Sequence, residues 1–241
     1  MTQPMRHNSF DIDSPSSERP ILFHAKQQAR QFRVVNGSEA MAEEVGEVMR
    51  LSFATLDPSD RTNAEYYRRY VRNLPDGQFV VLNEHNEVAA CSTDILAEVD
   101  LVDFEHRSAE VFRGLWPKRQ TGEKDWLYGA DICVRPDHRG LGLSKLLYKA
   151  RHDFVRRHNL RGHVAGGMLR GYSQYKRYMS AQTYLDKVVR GEIFDPTVSV
   201  QLRRGFQVYG LLPDYVLDSS CDNNAAFIVW HNPDYRAPAP A

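Results

Sequence analysis

An excess of charge of either sign is missing from this chain. Its 241 residues carry 31 Lys plus Arg and 31 Asp plus Glu, a formal net charge of zero. Nucleic acid and anionic membrane surfaces are usually met with a basic excess, so neither is an expected partner. Cysteine is scarce. Cys91, Cys133 and Cys221 are odd in number, far apart in sequence and in no metal-ligand spacing. That argues against a disulfide framework or a metal site, and for three reduced thiols in the cytoplasm. Long apolar runs are also lacking: none nears the roughly 18 residues of a membrane span. The polar stretch 1–20 holds no hydrophobic segment of a secretory signal.

What is present is the composition of a globular protein, 42% hydrophobic and 26% charged. A chain of this length can bury a substantial core without staples. Residues 1–31, with Ser14, Pro15, Ser16, Ser17 and Pro20, read as a flexible leader, and 233–241 as a loose Pro- and Ala-rich tail. Between them, 32–232 reads as one domain. A first strand is expected at 33–35. Ser38 is placed to cap a helix over 39–54, in which Met41, Val45, Val48 and Met49 keep helical spacing. Asn63 is placed to cap a second helix over 64–73. Strands over 78–82 and 87–96 flank the turn Asn83-Glu84-His85-Asn86.

A long irregular segment, 97–125, follows. Asp100, Asp103 and Glu105 make its first part acidic. It is either a solvated excursion or a wall of a site that attracts a cationic amine. Further strands are expected at 127–134, 162–167, 207–212 and 225–230. Helices are expected at 143–158, at 181–190 capped by Ser180, and at 196–204 behind Asp195-Pro196. The sum is a mixed α/β sheet flanked by helices.

The chain is organised around Val134-Arg135-Pro136-Asp137-His138-Arg139-Gly140-Leu141-Gly142-Leu143-Ser144, a strand end, a glycine loop and a helix start. First-turn amides without partners, aided by the helix dipole, form an anion site. Two common owners of such loops are excluded by further absences. No Walker Gly-Lys-Ser/Thr is present, and Gly140-Leu141-Gly142 lacks the third glycine of a dinucleotide fingerprint.

Arg139-Gly140-Leu141-Gly142-Leu143-Ser144 resembles the acyl-CoA-binding motif of the GNAT superfamily of N-acyltransferases, Arg/Gln-x-x-Gly-x-Gly/Ala, with Ser144 in the last small position. Gly205-Phe206 before a late strand resembles another family feature. Leu127-Tyr128-Gly129-Ala130-Asp131 and Gly191-Glu192-Ile193-Phe194-Asp195-Pro196 resemble GNAT domains fused to carbon-nitrogen hydrolases. The resemblance implies the GNAT fold, an α/β (α+β) mixed, mostly antiparallel sheet that splays at the cofactor site, near Val134 and near Gly166-Gly167. It implies acetyl-CoA as co-substrate. Pantetheine would pair with the strand edge at Ile132, Cys133 and Val134, and the pyrophosphate would sit on the amides of Arg139, Gly140, Leu141, Gly142, Leu143 and Ser144. The implied partner is a small-molecule or peptide amine, and a homodimer is among the assemblies allowed.

Acyl transfer to an amine needs a neutral nucleophile, a base and a proton for the leaving thiolate. Asp131, inside an apolar strand, is the first choice for the base, against a structural or ammonium-anchoring role. The tyrosine many GNATs place four residues before the glycine of Gly-Phe is Gln201 here. Tyr172 and Tyr175, with Tyr178, are the substitutes for the acid, against simple aromatic packing. His163 and a Cys133 acyl-enzyme are weaker alternatives. The reading is a GNAT acyltransferase that acetylates a primary amine in a ternary complex. The rival, kept alive by Gln201, is a degenerate domain that binds coenzyme A as a sensor.

Overall fold

The computed structural model describes residues 32–112 and 124–237. The expected leader, 1–31, lies outside the described residues, as do 238–241 of the expected tail and 113–123 of the irregular segment. Seven strands form one sheet: β1 (Arg33–Asn36), β2 (Phe79–Leu82), β3 (Val88–Ala97), β4 (Trp126–Val134), β5 (Gly162–Met168), β6 (Gln207–Leu212) and β7 (Ala225–His231). Their spatial order is β1-β2-β3-β4-β5-β7-β6. Every neighbouring pair is antiparallel except β4 and β5.

Six α-helices accompany the described strands: α1 (Ala42–Ser52), α2 (Ala64–Asn73), α3 (Ser108–Phe112), α4 (Leu143–Arg157), α5 (Ala181–Val189) and α6 (Val198–Leu202). The pleat of β2 sorts its side chains to two cores. Val80 and Leu82 meet Val45, Val48 and Met49 of α1 and Tyr67 of α2, whereas Phe79 and Val81 join Leu147, Phe154 and Val155 of α4. Fully burying each such side chain contributes about 1.5–3 kcal/mol, so the sheet is held from both faces.

Local chemistry explains most boundaries. The Asn63 Oδ1 accepts the Tyr66 N–H at 2.9 Å, and the Ser180 Oγ accepts the Thr183 N–H at 3.2 Å, so both caps act as expected. Ser38 does not: its side chain makes no cap bond, residues Glu39–Met41 form a 3₁₀ turn, and the α-helix begins only at Ala42. Asp195 binds the Thr197 and Val198 amides with Oδ1, and Gly171 N–H and the Tyr184 hydroxyl with Oδ2. It thus anchors three segments at once, and α6 starts two residues later than Asp195-Pro196 suggests.

The decisive feature is where β4 and β5 part. They pair only from Trp126 opposite Gly162 to Gly129 opposite Ala165. Beyond that, β4 runs on to Val134 beside β3 alone and β5 to Met168 beside β7 alone. The register of β3 on β4 slips at the same level, since Thr93 faces Asp131 while Asp94 faces Gly129. Ala130 is therefore the extra residue of a bulge, which bends β4 away from β5. The expected splay near Val134 and Gly166-Gly167 is thereby borne out.

Candidate active site

The parted strands enclose a cavity of about 410 Å3. Arg139, Gly140 and Gly142 of the glycine loop and Leu143 and Ser144 at the start of α4 line it. Gly140 and Gly142 have φ of +81° and +77°, where a Cβ would be strained, and an added Cβ at either would meet nothing within 4 Å. Among the described residues, the backbone N–H groups of Gly140, Leu141, Gly142, Leu143 and Ser144 donate to no acceptor. Such amides, at the positive end of a 15-residue helix, suit a phosphate group. Arg139, the sixth residue of the expected cradle, spends its own amide on the Pro136 carbonyl at 3.4 Å. Its guanidinium reaches the Ser52 carbonyl at the end of α1, at 3.4 Å, and the Ser52 hydroxyl donates to the Val134 carbonyl at 3.0 Å.

Ile132, Cys133 and Val134 all line the cavity, on the stretch of β4 that β5 leaves unpaired. The Cys133 thiol itself turns away. Its sulfur lies 3.4 Å from the Met49 sulfur and 3.3 Å from the Cys91 sulfur, in the core beneath α1. A Cys133 acyl-enzyme does not fit that orientation. Cys91 and Cys133, far apart in sequence, are cross-strand partners, and both are free thiols.

Asp131 stands in the cavity wall one residue beyond the bulge. Its Oδ2 accepts the Thr62 hydroxyl at 2.7 Å and the Thr93 hydroxyl at 2.9 Å. Burial pushes its carboxyl above the usual carboxylate range, while the two hydroxyls and Arg151 pull the other way. Arg151 is the residue the sequence reading missed. It is buried, pairs with Asp94 at 2.9 Å, and donates to the Thr93 and Asp131 carbonyls. Those carbonyls flank the bulge, so Arg151 stabilises the parting of the strands. Burial, offset by Arg151, raises Asp94 to about 7. A sequence signal existed: Arg151 falls on the Leu143, Leu147, Val155 stripe of α4, a core position for a charged residue.

The expected acids are placed elsewhere. Tyr172 is buried, donates to the Met179 carbonyl at 3.2 Å and packs on Tyr184; Tyr175 also packs on Tyr184. Neither lines the cavity, and Tyr178 is 80% exposed. The aromatic-packing alternative describes them, because the turn after Gly171 carries their rings toward α5 and not back over β5. His163 is buried with neither ring nitrogen hydrogen-bonded among the described residues, and burial drives it well below the usual histidine range.

Two other phenols do line the cavity: Tyr148 from α4 and Tyr215 from the connection between β6 and β7. Gln201 also reaches it, with a buried Oε1 that has no hydrogen-bond partner among the described residues, and its amide lies beside the Tyr148 hydroxyl. Gly166 and Gly167 explain these placements. A Cβ at Gly166 would fall 2.2 Å from the Tyr215 ring, and one at Gly167 would meet the Gln201 Oε1. The strand glycines make room for the protein's own side chains. Of the acidic segment, Ser108 and Phe112 line the cavity, whereas Asp100, Asp103 and Glu105 do not. Instead, Asp100 accepts the Val102 and Asp103 amides in a local turn.

A seven-stranded, mostly antiparallel sheet that opens between its two parallel strands, with orphan amides at the opening, is the GNAT fold. The chain belongs to the acetyltransferase (GNAT) family, whose profile matches residues 46–166, half of the chain. It is similar to the probable hydrolase YhcX of Bacillus subtilis, 28% identical over 83% of this chain and 38% of that protein. The chain thus spans well under half the length of that relative, which is consistent with a GNAT domain joined to a hydrolase. The uncharacterized N-acetyltransferase YkwB of the same organism is 24% identical over 69% of this chain and 74% of its own. Among solved structures, the GphF GNAT-like decarboxylase in complex with isobutyryl-CoA superposes with a TM-score of 0.65, covering 83% of this chain and 99% of that one at 16% identity. That likeness is one of fold. Among the described residues no helix is long and apolar enough to cross a membrane, and no cluster of potential metal ligands is present.

Proposed function

We propose that the protein transfers an acyl group, acetyl in the first instance, from its coenzyme A thioester to a primary amine that attacks directly in a ternary complex. The observation that carries this reading is the run of unpaired amides, Gly140 to Ser144, at a cavity that also holds the Asp131 carboxylate. The donor's pyrophosphate fits the Arg139–Ser144 loop, and its pantetheine arm fits the unpaired edge at Ile132, Cys133 and Val134. The amine nitrogen forms a bond to the thioester carbonyl carbon and the carbon–sulfur bond breaks. Asp131 takes the proton from nitrogen; a raised carboxyl is the stronger base for that step. Tyr148 gives the thiolate its proton, in place of Tyr172 or Tyr175, because it lines the cavity beside Gln201, the position at which many members of the family carry a tyrosine.

Calorimetry with acetyl-CoA tests the donor, and thiol release over a panel of primary amines tests the transfer. Binding of acetyl-CoA with silence across the panel would favour the coenzyme sensor. Binding of a nucleotide in place of acetyl-CoA would remove both readings.

A further inference from the structure

A chain of three buried side chains runs from the cavity wall to the segment before α3. The Tyr215 hydroxyl lies 3.1 Å from the Tyr128 hydroxyl, and the latter lies 2.5 Å from the His106 Nε2. The His106 Nδ1 lies 2.5 Å from the Phe104 carbonyl oxygen. All three residues are at most 9% exposed. The last contact sets the direction of the rest. A carbonyl can only accept, so Nδ1 carries the hydrogen. Burial drives His106 below the usual histidine range, so at neutral pH the ring has one proton and Nε2 is bare. The Tyr128 hydroxyl must then donate to Nε2, which leaves its oxygen to accept from Tyr215. The single proton of Tyr215 is committed inward. The Gly166 N–H also donates to the Tyr215 oxygen, so what Tyr215 turns to the cavity is its remaining lone pair.

We propose that His106 sets the hydrogen-bond polarity of the acceptor half of the cavity: Tyr215 recognises an N–H donor, and protonation of His106 reverses it. An imidazolium has hydrogens on both nitrogens. Its Nε2–H would donate to the Tyr128 oxygen, the Tyr128 proton would turn to Tyr215, and the Tyr215 proton would point into the cavity. His106 gains one proton from solvent, and the Tyr128 and Tyr215 protons stay on their own oxygens and only rotate. In the neutral arrangement, Tyr215 and Asp131 form an acceptor-only corner suited to an amine. In the reversed one, a donor meets a donor. Facing His106 among the described residues are Tyr128 from β4, Tyr215, the Phe227 ring from β7, and the Glu110 carboxylate from α3, which opposes the effect of burial. His106 and Tyr128 are positioning residues; neither lines the cavity.

The amine consequence rests on the reading under Proposed function; the polarity does not. Nitrogen-15 spectra of histidine-labelled protein, with the His106 signals assigned by their loss in His106→Asn, should show the neutral Nδ1–H tautomer at pH 7.5 and a midpoint below 6.5. An Nε2–H tautomer or an imidazolium at pH 7.5 would overturn the proposal. The functional arm uses the best amine of the panel. Tyr128→Phe, which keeps the ring, should raise its KM about fivefold, the scale of one net hydrogen bond. It should leave the KM for acetyl-CoA unchanged and abolish the rise in amine KM that the wild type shows as acid charges His106. An unchanged amine KM with an unchanged acid limb would equally overturn it. A panel with no substrate would end the amine reading, while the nitrogen spectra would still decide the polarity.

Discussion

Two pairs of glycines lie where the sheet opens, and they do opposite things. Gly140 and Gly142 sit in open space at positive φ, where the missing side chain leaves backbone amides bare. Gly166 and Gly167 sit in ordinary strand conformation, and the space their side chains would fill is taken by Tyr215 and Gln201. The first pair shapes the backbone toward something outside the chain. The second lets the chain's own polar groups approach the strand. Glycine near a ligand site therefore carries no single meaning; what matters is whether the vacated volume is empty or already occupied.

That contrast can be broken by substitution. The largest effect is expected at the occupied pair. Gly166→Val should destabilise the fold by about 3 kcal/mol, since the Tyr215 ring must move and an overpacked core relaxes poorly. Thermal unfolding of the purified variant reads this out. Gly142→Glu should do the reverse: it should abolish acetyl-CoA binding in calorimetry by placing a carboxylate in the phosphate space. The unliganded protein should lose only about 1–2 kcal/mol, the cost of a left-handed side-chain residue. If Gly142→Glu unfolds the protein and Gly166→Val spares it, the distinction fails.

Asp131→Asn sharpens the comparison from the other wall. It should lower turnover about 10²-fold with the best amine while leaving acetyl-CoA affinity within a factor of about three. A parallel loss of affinity would make Asp131 a structural group. Tyr148→Phe should lower turnover about tenfold, again with donor binding intact; an unchanged rate would return the acid to another group.

The smallest effect concerns the buried histidines behind the site. Burial drives His152 to about 4 and His163 well below its usual range, so both are neutral in the folded protein while the unfolded chain protonates them near 6.5. The unfolded state thus binds more protons in acid. The stability linked to these groups is present above about pH 6.5 and lost as pH falls toward 4. His163→Leu should flatten that loss in thermal melts between pH 7 and 4, and cost little at pH 7, because neither ring nitrogen has a partner to lose among the described residues.

The elements and the donor loop were legible in the sequence for local reasons. The apolar run 79–82, the caps Asn63 and Ser180, and the glycines ahead of Leu143 act over a few residues, and the structure has a strand, two capped helices and a helix start there. The misplaced acids show the limit. Tyr172 and Tyr175 follow the central strand in sequence, but the turn after Gly171 carries them to α5. Tyr148 and Tyr215 come from a helix and from a connection far along the chain, and line one cavity only because the sheet splits. Ser38, well placed for a cap, yields to a 3₁₀ turn.

The sequence by itself determined that this chain builds a mixed sheet and a glycine loop between a strand and a helix, because hydrophobic period, capping and glycine torsions are local properties. Only the tertiary structure decided what faces the substrate. One extra residue at Ala130, held by the Arg151 guanidinium on the carbonyls beside it, parts β4 from β5 and places Asp131 in the gap. The direction of the His106–Tyr128–Tyr215 chain is likewise set by one backbone carbonyl, at Phe104, through contacts that span residues 104 to 215. Hydrogen-bond polarity propagates through space, and no spacing along the chain records it.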